Sequence, residues 1–168
     1  MSVAVQIMDA IRRGKGNASK KDIQEATGIA WGTMCKGVDA LLGGGYVFAR
    51  REKAQGRGRP VIPLCVNSDA AYYVGLDIGA GFTRTVVCNL AFNTIYMNEV
   101  ETPHYHGKEP FMAFLFDTVD TALRESRIER ERLDGIGISV SGNVDFEDGV
   151  IVSGRNFGLP WNENVPVA

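Results

Sequence analysis

At 168 residues the chain has room for one medium domain or two small ones, and its 45% apolar share is that of an ordinary globular protein. No run of about 18 apolar residues occurs, and the N-terminus opens on an amphipathic pattern instead of a basic region followed by an apolar one, so a soluble, cytoplasmic protein is expected. The net charge of −2 hides a division: residues 1–66 hold 11 Lys and Arg against 5 Asp and Glu, whereas 67–168 hold 7 against 15. That split predicts two modules, 1–66 and 67–168, the first drawn to a polyanion.

Apolar residues at helical spacing predict a first helix over 3–13, stopped by Gly14 and Gly16. In NASKKDIQEATGI, Ser19 can cap a short second helix with Asp22 three residues on, Ile23 and Ala26 facing inward before Thr27-Gly28 turns the chain. AWGTMCKGVDALLGGG places Met34, Val38, Leu41 and Leu42 on one side of a third helix that ends at Gly43–Gly45. Two helices joined by a glycine turn suit a helix-turn-helix whose second helix enters the major groove of DNA. Lys20 and the outward Trp31, Thr33 and Lys36 are then the candidate contacts, although three-helix units that bind no DNA share the pattern.

Two β-prone runs, YVFAR and VIPLCV, flank the basic, turn-rich RREKAQGRGRP, a composition that predicts a hairpin wing. A linker would be richer in serine, and a nucleotide phosphate loop would lead into a helix rather than a strand. Arg57 and Arg59, flanked by glycines that would not clash with groove walls, suit insertion into a narrow minor groove.

The acidic part begins with YYVGLDIGAGFTRTVVCNLAFNTIYMNEVE, read as three strands of an antiparallel meander. A helix starts near Pro110 with Phe111, Phe114, Leu115, Val119, Ala122 and Leu123 inward, and the charged RESRIERER is expected to prolong it. LDGIGISVSG follows as a strand entering a glycine turn, and VDFEDGVIV as a hairpin about Asp148-Gly149. The order points to an α/β half-domain on a mixed sheet. Asp77 before Gly79 can serve a phosphate, sugar or metal, and equally closes an ordinary turn. His104 and His106 lack neighbours at ligand spacing and read as a surface loop, and Cys35, Cys65 and Cys88 as reduced thiols, so no metal site is expected.

Taken together, the helix-turn-helix, GRGRP, VGLDIGAGFTR, GIGISVSGNVD and NFGLPWNENVP resemble, across essentially the whole chain, the repressor branch of the ROK family of repressors and sugar kinases. The resemblance implies a winged helix-turn-helix followed by the first lobe of an actin-like, ribonuclease H-like sugar-kinase fold. It implies a dimeric repressor of sugar metabolism that binds double-stranded operator DNA under control of a sugar or sugar-phosphate effector. By position, Asp77, Gly79 and Arg84 match a phosphate motif, and Ser141, Gly142 and Asn156 fall on the sugar side of the cleft.

Departures accompany the match. Ala80-Gly81-Phe82 stand where family kinases have Gly-Gly-Thr, so the phosphate motif is expected to be vestigial, with no cofactor and no catalysis. Ser141 replaces a proline, and Ala30 a capping serine. Gly32 and Gly37 lie inside the third helix at about 1 kcal/mol each relative to alanine, so that helix is expected to firm up on DNA. The family's catalytic loop, zinc cluster and second lobe have no counterpart by Ala168, which suggests a fragment. A sugar-kinase fragment and an interaction module that pairs with a longer relative are the rival readings.

Overall fold

The computed structural model describes residues 1–50, 62–103, 107–153 and 165–166. Contacts divide them into two units: Met1–Ala71 with Leu90–Phe92, and Tyr72–Asn89 with Asn93–Ala168.

In the first unit α1 (Val3–Arg13), α2 (Lys20–Thr27) and α3 (Trp31–Gly43) pack on one another, and β1 (Val47–Ala49) pairs antiparallel with β2 (Leu64–Val66). Ile7, Ile11, Ile23, Met34 and Val38 are fully buried, because each helix contributes one apolar stripe that only its neighbours can keep from water. A bridge between Ala18 and Leu64 ties the α1–α2 connection to the start of β2. The predicted hairpin stem is present, whereas its loop, with Arg57 and Arg59, lies outside the described residues.

α2 starts on a reciprocal capping box: Asp22 N–H donates to Ser19 Oγ at 3.2 Å, and Ser19 N–H donates to Asp22 Oδ2 at 2.8 Å. Hydrogen bonds from the Ser19 hydroxyl, then from its backbone N–H, hold the Asp22 carboxyl below the ordinary carboxylate range. A lowered folded-state pKa gives stability that is complete above the unfolded value and is lost as pH falls through the folded one. Ser19→Ala should therefore cost about 1 kcal/mol at neutral pH, read from thermal melts, and flatten the acid limb of the stability profile. Equal acid sensitivity in both proteins would rule the box out as its source. Ala26, expected inward, is exposed on this short helix, where Ile23 alone is fully buried.

The second unit is built on a four-stranded sheet of order β5-β4-β3-β6, from β3 (Tyr72–Ile78), β4 (Phe82–Asn89), β5 (Thr94–Glu101) and β6 (Leu133–Val140). β3, β4 and β5 form the expected meander, and β6 joins β3 in parallel after the crossover helix α4 (Lys108–Ser126). Alternation puts Val74, Leu76, Ile78 and Val87 on one face, where they meet Phe111, Leu115, Val119, Ala122 and Leu123 of α4. A hairpin of β7 (Asn143–Asp145) and β8 (Val150–Ser153), turning at Gly149 with φ 62°, adds Ile151 to that core and pairs with β9 (Val165–Pro166).

The charged run after α4 does not prolong it. Arg127 takes the left-handed conformation, its N–H and that of Ile128 return to Arg124 and Leu123 carbonyls, and Ile128 packs on the core. The turn places the partly buried Ile128 against the core, which a continued helix on the charged run would not require. His104, His106 and Asn156 lie outside the described residues. Among the described residues no helix is long and apolar enough to cross a membrane, and no cluster of metal-ligating side chains occurs.

Candidate nucleic-acid interface

Between α2 and α3 the chain turns in three residues, Gly28 to Ala30. Gly28 takes φ 67°, and a β-carbon added there would meet nothing within 4 Å, so its backbone conformation is what requires glycine. The turn sets α3 across α1 and α2 with Met34, Val38 and Leu41 inward. Positions two residues before each of these are rotated by about 200° on a helix of 3.6 residues per turn. Gly32, Lys36 and Asp39 consequently form the outermost stripe, and all three are exposed.

Trp31 flanks the stripe on one side, 51% exposed, and Thr33 flanks it on the other. Lys20 of α2 reaches the same surface, where its Nζ lies 3.0 Å from Asp39 Oδ1. The four described DNA-contact candidates, Lys20, Trp31, Thr33 and Lys36, thus come together on one side of the unit. Asp39 belongs with them and was missed from sequence, because an acidic residue on a basic module reads as a solvated charge. Its spacing of seven from Gly32 and three from Lys36 could have found it.

α3 runs as a continuous helix through its two interior glycines. The glycines differ in cause. At Gly37 a β-carbon would lie 2.5 Å from Ile7 Cδ1, so α1 packs there, whereas at Gly32 it would meet nothing within 4 Å. Ala30 supplies no side-chain cap to the first turn of α3.

In the second unit Asp77 and Arg84 face each other across β3 and β4, with Arg84 Nη1 3.8 Å from Asp77 Oδ2 and Arg84 Nε 2.6 Å from Glu99 Oε2 on β5. Gly79 N–H donates to Phe82 O at 3.0 Å, and a β-carbon there would sit 2.8 Å from that oxygen. Glycine at 79 is required by its own turn, and the guanidinium is held by two carboxylates. Because β3 and β6 are parallel, Asp77, Gly79, Ser141 and Gly142 gather at one sheet end, with Ser141 N–H donating to Ile78 O at 3.3 Å. Glu99 is the partner that sequence reading did not find, since its register with Arg84 depends on the β4–β5 pairing.

Three helices with a two-stranded antiparallel pair, followed by an α/β unit on a mixed sheet, define a two-part architecture. No family model matches the chain. It is 27% identical over 150 residues to a xylose repressor of Caldicellulosiruptor bescii, covering 89% of this chain and 37% of the repressor. It is 29% identical over 164 residues to a transcriptional regulator of Mycobacterium tuberculosis, covering 96% and 36%, and 25% identical over 151 residues to the DNA-binding transcriptional repressor Mlc of Escherichia coli, covering 89% and 36%. The fold is shared with the crystal structure of a ROK family transcriptional regulator, at TM-score 0.65 and 18% identity over 92% of this chain and 40% of that one. The chain is thus similar over most of its length to proteins named as repressors and transcriptional regulators, and it shares the fold of a ROK family regulator. It spans under two fifths of the length of these curated relatives.

Proposed function

We propose that the chain is the DNA-binding and first-lobe part of a cytoplasmic, sugar-responsive transcriptional repressor that acts as a dimer on double-stranded operator DNA. The observation that carries this reading is the exposed stripe on α3, opposite the buried Met34, Val38 and Leu41, on a unit with an excess of Lys and Arg. In this reading Trp31, Thr33 and Lys36 face base edges in the major groove, Lys20 stands beside the stripe, and Arg57 and Arg59 enter the minor groove. The relatives named as repressors support it. Residues 1–66 form the DNA-binding module and 67–168 the effector lobe, where Ser141, Gly142 and Asn156 line the sugar side.

A non-enzymatic role is supported by the phosphate-motif residues. Arg84 pairs with Asp77 and Glu99, and the Gly79 amide with Phe82, so a nucleotide would have to displace these partners.

The test is a fluorescence-anisotropy titration of the whole chain with duplex DNA from sugar-utilisation promoters, repeated across salt concentrations with candidate sugars present or absent. Affinity should fall steeply and linearly on a log–log salt plot, as release of condensed counterions requires. Binding to no duplex at low salt would refute the reading.

Gly32→Ala separates helix stability from binding. Nothing in the chain opposes the new methyl group, so the variant should melt higher, by up to about 1 kcal/mol of added stability. Its duplex affinity should nevertheless fall several-fold, because the methyl stands between helix and groove. A variant that gains stability and binds equally well would place Gly32 away from DNA.

A further inference from the structure

The outer stripe of α3 contains a carboxylate, which a surface approaching phosphates would ordinarily exclude. From Gly32 to Asp39 it runs about 10 Å at 1.5 Å per residue, close to three base steps of 3.4 Å. Asp39 thus lies within the span that a groove-bound helix presents to bases, on the same line as Lys36. Lys20 holds one of its oxygens at 3.0 Å, and Oδ2 has no hydrogen-bond partner among the described residues.

Building on the DNA-binding reading above, we infer that Asp39 is a specificity-determining residue that accepts a hydrogen bond from the amino group of a cytosine, with Lys20 as its positioning partner. An ionised aspartate can only accept. In the major groove thymine O4 and guanine O6 and N7 would repel it, and adenine sets an acceptor, N7, beside its amino donor. Cytosine N4 offers a donor alone. Lys20 supplies the compensation: its ammonium fixes one oxygen, orients the other outward and offsets the repulsion between Asp39 and nearby phosphates. Discrimination then comes mainly from repulsion of the wrong bases, an effect that costs the right partner nothing.

The test is selection of bound duplexes from a random-sequence pool, with whole-chain wild type, Asp39→Asn and Lys20→Gln in parallel. Wild type should favour cytosine at one position by about tenfold. Asp39→Asn should move that position to adenine, since an amide can pair with both N6 and N7, and leave the other positions unchanged. Lys20→Gln should blur that position alone, whereas loss of a mere phosphate contact would weaken all sequences equally. The same base preference in wild type and Asp39→Asn would overturn the inference while leaving the DNA-binding reading in place. Failure of wild type to bind any duplex would overturn both.

Discussion

Lys36→Glu should weaken duplex DNA binding about a hundredfold at fixed salt, with little change in the melting temperature. Lys36 is exposed, in no ion pair among the described residues, and glutamate is as good a helix former as lysine, so the fold has little reason to respond. At the interface the change removes a cation worth about 1–3 kcal/mol when it pairs with guanine. It also adds a second carboxylate one turn from Asp39, facing the phosphates. A hundredfold loss corresponds to about 2.7 kcal/mol, within reach of those two effects combined. Anisotropy with circular dichroism melts reads both quantities, and equal affinity at equal stability would remove α3 from the interface.

The paired change Arg57→Ala with Arg59→Ala should lower affinity at least about tenfold, and more on duplexes that carry an A-tract beside the major-groove site than on G·C-rich ones. Narrow minor grooves concentrate negative potential, so arginines reading that shape lose most where the groove is narrowest. Two charges merely near phosphates would give an equal loss on both duplexes. That difference between sequences separates groove insertion from general attraction, and unchanged binding on both would take the wing out of the mechanism.

What could be read from sequence followed from local rules. Periodicity and glycine stops placed α1 over Val3–Arg13, and the capping box at Ser19 and Asp22 forms as its spacing dictates. The meander of β3, β4 and β5 and the helix carrying Phe111, Leu115 and Val119 were legible for the same reason, since alternation and 3.6-residue spacing are written into adjacent residues. What escaped depended on partners distant in the chain. The end of α4 is set by Ile128 finding the core, and Glu99 meets Arg84 only through the β4–β5 register. Asp39 gains its meaning from Lys20, on another helix nineteen positions away. Gly32 and Gly37 look alike in the sequence and differ only because Ile7 stands against one of them.

The most direct test of the proposed interface is amide hydrogen exchange of the whole chain with and without a bound duplex. Insertion of α3 predicts slowed exchange over 30–39 and 51–61, with the amides of α4 unchanged. A bound complex in which α3 exchanges as it does in the free protein would contradict groove insertion.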